Sequence, residues 1–353
     1  MTLRTKIALT FRSGGENGGP YNSHKRIMES SLSVKYEFVQ LFVPRARVLV
    51  TPWGMKAFVK EIKLMKPQLV QVTGLQLEGF LTMVACKLAG VKTLLAIHGS
   101  STEALDIGRF RKWRAAILEK WTVRNADAVY GVCDYISRWD VCRRAKYYYG
   151  TIYNLSADNA QQEVTDNLRE SLGISQDDIV VVSTGRITKD KGYDVFWDVI
   201  QAIGHTADVK YVIAGDGGYK EEWQRKISEK GFDNEVFLIG YRKDINNVLS
   251  CGDIFMMCTK HENNSLSMLE AAAHYLPLVA TNVGGVPEII DTDCGFLVSN
   301  GDVDGFCDAL RILISDKKLR TQFGENAHRK ISKKFDTEKI LNKLNELYDS
   351  IVY

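Results

Sequence analysis

Short apolar runs alternate with amphipathic stretches through the first 150 residues of this 353-residue chain, and the alternation restarts after residue 177. No other feature constrains the fold as strongly. Strand–helix alternation with turn residues between elements is the pattern of a parallel sheet covered by helices on both faces. In the first half, strands are expected at Lys6–Phe11, Glu37–Phe42, Leu69–Val72, Thr93–Ile97, Ala128–Val132 and Thr151–Tyr153. Helices are expected there at Trp53–Met65, Leu77–Leu88 and Arg111–Arg124. In the second half, strands are expected at Ile179–Thr184, Lys210–Ala214, Val236–Ile239, Ile254–Cys258 and Leu278–Ala280. The helices expected beside them are Val195–Ile203, Glu221–Lys230 and Leu266–Tyr275. The polar stretch Ser156–Asp177 is the linker candidate between the two series. The tail Thr337–Ile351 sets Ile340, Leu344, Leu347, Tyr348 and Ile351 on one helical stripe. Two doubly wound α/β units are the expected architecture, with ligands docking at the carboxyl ends of the strands.

Composition excludes several classes. At 45% hydrophobic and 25% charged residues with six prolines, the chain is neither disordered nor collagen-like. Its length suits two domains. The seven cysteines are scattered and form no Cys-x-x-Cys pair, which predicts reduced thiols in a cytosolic protein and no zinc site of the usual spacing. The start lacks an apolar signal-peptide core. The longest apolar stretch, Gly79–Gly99, is broken by Lys87 and Lys92 and reads as helix, turn and strand rather than a membrane span. The net charge of +3 conceals an asymmetry: residues 1–150 carry 24 Lys and Arg against 11 Asp and Glu, and the remainder 22 against 32. A basic first half and an acidic second half predict different partners for the two domains, or two unlike solvated surfaces.

No Gly-x-x-x-x-Gly-Lys-Ser/Thr string occurs, and the glycine loop Ser13-Gly-Gly-Glu-Asn-Gly-Gly-Pro20 does not fit Gly-x-Gly-x-x-Gly. Its glycines would let backbone amides approach a phosphate at the start of a helix, or simply make a tight turn. Gly185-Arg-Ile-Thr-Lys-Asp-Lys-Gly192 follows an apolar strand and precedes a helix. Arg186 and Lys191 therefore stand on a loop at a strand's carboxyl end, as solvated charges or as cations for a departing diphosphate. From Ile254 a buried strand leads through Thr-Lys-His-Glu262 and Asn-Asn-Ser-Leu-Ser-Met-Leu-Glu270 into an alanine-rich helix. Ser265 suits the cap of that helix, and the amides near Asn264–Ser267 suit an anion. Glu262 precedes the helix and Glu270 lies on its second turn, so the two carboxylates probe different parts of one ligand.

These residues resemble a family, the retaining GT-B glycosyltransferases of glycosyltransferase family 4. Glu262 and Glu270 match its E-x7-E motif, and Leu276-Pro-Leu-Val-Ala-Thr-Asn-Val-Gly-Gly-Val-Pro-Glu-Ile-Ile290 matches the segment after it. Gly185–Gly192 matches its Gly-Arg-x-x-x-x-Lys-Gly loop and Ala214-Gly-Asp-Gly217 its Gly-Asp-Gly turn. In the first half, Gly18-Gly-Pro20 and Ile97-His-Gly99 look like the family's glycine loop and sugar-facing histidine. Two departures occur. Glu262-Asn-Asn264 stands where members read Glu-Gly-Phe, and Asn154-Leu-Ser-Ala-Asp158 where they read Asn-Gly-x-Asp. The first alters the loop at the donor sugar, so sugar identity is not carried over.

The resemblance implies a GT-B fold, two Rossmann-like domains facing each other across a cleft. Residues 1–156 would bind the acceptor, residues 157–336 the nucleotide-sugar donor, and the helix at 337–353 would pack back on the first domain. Arg186 and Lys191 would hold the diphosphate, and Glu270 would hydrogen-bond the ribose. Glu262 would meet the donor sugar near its reacting carbon, and His98 would face that sugar. Gly18, Gly19, Gly215, Asn264, Ser265 and Leu266 complete the donor set, and Tyr241 stands where the family reads the base. Glu262, His98, Arg186 and Lys191 form the implied catalytic group.

Neither metal nor cofactor is expected. The co-substrate would be a nucleotide-diphospho-sugar, a UDP-sugar in preference to a GDP-sugar. The implied reaction is retaining transfer to a glycan or polyprenyl-linked acceptor in surface polysaccharide assembly of the O-antigen or capsule type, at the cytoplasmic face of the plasma membrane. Two other readings compete: a different GT-B enzyme, such as a nucleotide-sugar epimerase or phosphorylase, and a silent sugar-binding protein.

One constellation stands outside the motifs. Arg109, Arg111, Lys112 and Arg114 interleave with Phe110 and Trp113, followed by Ile117, Lys120, Trp121 and Arg124. On a helix this suits anionic lipid headgroups, or an ordinary helix with its apolar face in the core. No nucleic-acid motif accompanies it, so no nucleic acid is expected as partner.

Overall fold

A computed structural model of the chain describes residues 4–13, 18–103, 108–155, 167–205 and 208–353. The chain divides into two units, Met1–Leu155 with Thr337–Tyr353, and Ser156–Asp336. Residues 14–17 of the glycine loop and 156–166 of the linker candidate lie outside the described residues.

The first unit runs β1 (Thr5–Arg12), α1 (Gly19–Glu29), β2 (Tyr36–Val43), α2 (Ala46–Leu49), α3 (Pro52–Met65), β3 (Leu69–Thr73) and α4 (Leu77–Ala89). It continues through β4 (Lys92–Ile97), α5 (Arg109–Asn125), β5 (Ala128–Gly131), α6 (Asp134–Ser137) and β6 (Tyr148–Thr151). Its six strands are parallel in the order β2-β1-β3-β4-β5-β6. Helices on both faces explain the nearly continuous apolar runs, because neither face of such a strand meets water. The start of α3 is set locally: Thr51 Oγ1 accepts from Gly54 N at 3.1 Å to cap it, and Pro52 opens the helix.

The second unit runs α7 (Leu168–Ser171), β7 (Ile179–Thr184), α8 (Tyr193–Ile203), β8 (Val209–Ala214), α9 (Lys220–Lys230), β9 (Val236–Gly240) and α10 (Ile245–Ser250). It continues through β10 (Ile254–Met257), α11 (Leu266–Ala273), β11 (Leu278–Thr281), β12 (Gly295–Val298), α12 (Val303–Ser315) and α13 (Lys317–Lys334). Its strands are parallel in the order β12-β11-β10-β7-β8-β9. Trp223 on α9 is fully buried, with Tyr193, Phe196 and Trp197 of α8 against it, and its indole donates to the Tyr193 carbonyl at 3.2 Å. The last helix, α14 (Thr337–Val352), returns to the first unit and buries Ile340, Leu341, Leu344, Leu347, Tyr348 and Ile351 there.

Two expectations are corrected. The last strand of the first unit is Tyr148–Thr151 rather than Thr151–Tyr153; a tyrosine run at a half-buried edge carries no clear period. Residues 167–177 are not free linker. Arg169 on α7 donates to the carbonyls of Cys251, Ser175 and Asp178 and pairs with Asp253 at 2.6 Å, which staples the segment to the second unit. Of the two readings of α5, the structure has the exposed apolar face and not the core-facing one: Glu119, Thr122 and Val123 are buried, whereas Phe110, Trp113, Ile117 and Trp121 are 68, 61, 48 and 37% exposed. Strand β12 and helices α12 and α13 were not among the expected elements.

Candidate active site

In the second sheet the strand order reverses at β7. Strands β8 and β9 extend to one side, while β10 pairs on the other through Ile254↔Val181 and Phe255↔Val182. Open α/β sheets bind ligands beyond the carboxyl ends of the strands at such a reversal. The loop after β7 carries Arg186 and Lys191; the loop after β10 carries Glu262. Lys191 Nζ lies 2.8 Å from Glu262 Oε2, a contact spanning 71 residues of sequence. Both side chains are largely withdrawn from water. Arg186 points elsewhere: it is 69% exposed and lies 3.5 Å from Asp190.

Backbone sterics fix this arrangement. At Gly192 φ is +70°, and a Cβ would lie 1.7 Å from the Cys258 carbonyl oxygen, so only glycine lets the β7 loop approach β10. At Gly284 φ is +54° and a Cβ would lie 1.9 Å from the Glu262 carbonyl oxygen, which accepts instead from Gly285 N at 3.1 Å. Lys260 adds a brace, donating its amide to Asp190 O at 3.0 Å and pairing with Asp194 at 2.6 Å. The loop of Arg186 is also stitched to the turn holding Gly215, through Gly185 N to Ala214 O and Ile187 N to Asp216 O, both 3.0 Å.

Ser265 caps α11, its Oγ accepting from Met268 N at 3.3 Å. Asn264, Ser265, Leu266 and Glu270 are all buried, at and within the start of the helix that follows the Glu262 loop. Among the described residues, Asn264 Oδ1, Thr184 Oγ1 and Thr281 Oγ1 are buried without a hydrogen-bond partner. Thr184 ends β7 and Thr281 ends β11. Sequence reasoning missed both threonines; hydroxyls closing otherwise apolar strands were the available signal. Tyr241, just after β9, is exposed. Among the described residues, no group of three or more His, Cys, Asp or Glu is arranged to hold a metal ion.

In the first unit, Gly18 precedes α1 and Gly19 is its first residue. His98 follows β4 and is half-buried. Burial, with a smaller contribution from His24, holds its pKa down at about 3. Glu119 of α5 clamps the loop after it, accepting from Ser100 Oγ at 2.7 and 2.8 Å and from Ser101 N at 2.7 Å. Burial raises the pKa of Glu119 against those hydrogen bonds. Sequence reasoning missed Glu119 and His24; a carboxylate on the inward face of α5 was the signal for the first.

Two separate parallel six-stranded sheets with helices are the architecture of the GT-B fold. The family model "Glycosyl transferases group 1" matches residues 164–330 and "Glycosyl transferase 4-like domain" matches residues 24–139. The chain belongs to the GT-B glycosyltransferases of the family 4 kind. It is 25% identical to the UDP-Gal:alpha-D-GlcNAc-diphosphoundecaprenol alpha-1,3-galactosyltransferase of Escherichia coli, over 84% of this chain and 80% of that one. It is 26% identical to the N-acetyl-alpha-D-glucosaminyl L-malate synthase of Bacillus anthracis over 57% of this chain, spanning about half (54%) of that relative's length. Among solved structures, sucrose-phosphate synthase from Thermosynechococcus elongatus superposes with a TM-score of 0.85 at 17% identity, covering 98% of this chain and 99% of that one.

Proposed function

We propose that the protein transfers a glycosyl group, with retention at the anomeric carbon, from a UDP-sugar to a lipid-linked glycan acceptor. The process served is surface polysaccharide assembly of the O-antigen or capsule type, on the cytoplasmic face of the plasma membrane. The observation that carries the reading is the Lys191–Glu262 pair at the reversal of the second sheet. In this reading the second unit holds the donor. Lys191 and Arg186 neutralise the diphosphate as the bond from the anomeric carbon to phosphate oxygen breaks. The acceptor hydroxyl oxygen forms the new bond on the same face, and its proton passes to the leaving phosphate oxygen. Glu262 meets the sugar, Glu270 the ribose, Tyr241 the base, and His98 of the first unit faces the sugar. The two cations supply the charge that a metal ion would otherwise bring.

The membrane part of the proposal is supported by α5. Its exposed stripe of Phe110, Trp113, Ile117 and Trp121 runs among Arg109, Arg111, Lys112, Arg114 and Lys120. Basic residues beside exposed aromatic side chains suit an anionic headgroup layer. No helix among the described residues is long and apolar enough to cross a membrane. The E. coli relative, by its name, uses UDP-Gal and a diphosphoundecaprenol-linked acceptor, which supports both the UDP donor and the lipid-linked acceptor.

The deciding experiment is thermal shift with UDP-, GDP- and ADP-sugars, followed by NMR of the product's anomeric centre. Stabilisation by a UDP-sugar and an unchanged anomeric configuration are expected. Inversion overturns the mechanism. Conversion of donor without any acceptor favours an epimerase or phosphorylase, and binding without turnover favours a silent sugar-binding protein.

A further inference from the structure

Beneath His98 lies a polar network that none of the sequence motifs includes. His24 on α1 and Gln71 on β3 are both fully buried, and Tyr348 of α14 is as well. His24 Nδ1 is 3.0 Å from the Thr10 carbonyl oxygen, which can only accept, so Nδ1 carries the proton. His24 Nε2 is 3.0 Å from Gln71 Nε2, which can only donate, so that ring nitrogen is bare. The amide's second proton goes to Tyr130 Oη at 3.0 Å, and Tyr348 Oη donates to Gln71 Oε1. The reverse amide orientation would put Oε1 against His24 Nε2 and demand a second ring proton. Burial opposes that cation and holds the His24 pKa down at about 4. The ring of His24 stands edge-on to His98, centroids 6.4 Å apart at 85°.

We propose that His24 and Gln71 are positioning residues for His98: Gln71 fixes His24 as the neutral Nδ1–H tautomer, and that uncharged ring orients His98 edge-on without setting a cation beside it. The proposal rests on the reading that His98 faces the donor sugar. Its chemical sense is electrostatic. Positive charge grows at the anomeric carbon as the leaving group departs, and an imidazolium nearby would oppose it. The titratable groups facing His24 are His98 directly and, through Gln71, Tyr130 and Tyr348; Phe11 packs on its remaining face.

Gln71→Glu keeps the shape and places a carboxylate against His24 Nε2, which favours a second ring proton. The expected result is an imidazolium at His24 that titrates near neutral pH by histidine NMR, with kcat falling at least about tenfold below that pH and the donor KM unchanged. In the double variant with His98→Ala, the added pH step should vanish. His98→Ala alone separates the two failures: if it leaves kcat intact, the reading of His98 fails and the inference with it. If His98→Ala lowers kcat but the Gln71→Glu profile follows the native one, only the inference fails. Should Gln71→Glu not fold, the native protein still decides, because an Nε2–H tautomer of His24 in its nitrogen spectrum overturns the proposal.

Discussion

Lys191 and Glu262 form an ion pair at 2.8 Å although 71 residues separate them, and only the neighbouring of β7 and β10 brings them together. Lys191→Ala and Glu262→Gln should each lower turnover by about 10²–10³-fold, the scale set by losing one preorganised charge in a transition state. Stability should fall far less, by about 1 kcal/mol or under, because the pair is partly reached by water. Steady-state kinetics beside denaturant melts separate the two effects. Near-native rates in both variants with intact folds would remove the donor-site assignment.

Gly192→Ala tests the steric origin of that pair. The new Cβ meets the Cys258 carbonyl oxygen and the residue must also hold φ at +70°, so a loss of at least about 1–3 kcal/mol is expected. Gly204→Ala is the control, since φ there is +76° with open space around the added carbon. Equal destabilisation in the two variants, measured by urea unfolding, would show that close approach to β10 is not the constraint.

Residues 337–353 belong to the first unit, with six apolar or aromatic side chains of α14 buried there. Burial at about 1.5–3 kcal/mol per side chain is comparable to a domain's whole net stability of about 5–15 kcal/mol. Deleting the helix should therefore unfold the first unit and leave the second protected. Limited proteolysis with mass mapping reads this directly, and a truncated chain as resistant as the full one contradicts it.

Acid should destabilise the first unit before carboxylates titrate. His24 and His98 have folded pKa values of about 4 and 3, below the unfolded value near 6.5. Above pH 6.5 both states are neutral and the effect is nil. As pH falls, the unfolded chain binds protons first, and stability drops by about 2 kcal/mol per histidine by pH 5. Denaturant unfolding of the native protein and of His24→Gln at pH 7 and pH 5 measures the difference. An unchanged pH slope in the variant would contradict a buried neutral His24.

Replacing Arg109, Arg111, Lys112 and Arg114 together by glutamine should weaken binding to anionic vesicles, at about 1 kcal/mol per cation and most strongly at low salt. Trp113→Ser should weaken it at all salt concentrations, because its contribution is apolar. Activity on a soluble acceptor analogue should survive both changes. Co-sedimentation with anionic and neutral vesicles is the measurement, and a native protein that ignores both kinds withdraws the membrane claim.

Most strands and helices were legible because a strand covered on both faces must be a continuous apolar run, as Ile179–Thr184 is, and because caps such as Ser265 act within three residues. The same local chemistry marked Arg186, Lys191, Glu262 and Glu270 as candidates. It could not show that Lys191 meets Glu262 while Arg186 lies against Asp190, since strand order decides which loops become neighbours. Nor could it decide between two readings of α5: its apolar stripe suited a lipid surface or a core, and in the structure Glu119 takes the inward side to bind the loop after His98. His24, Gln71 and Tyr348 come from α1, β3 and α14, and the last two lie 277 residues apart. A sequence records a buried polar side chain only as an interruption in an apolar pattern. The partner that satisfies it is chosen by packing, because a hydrogen bond withdrawn from water is favourable only where donor and acceptor meet within about 3 Å.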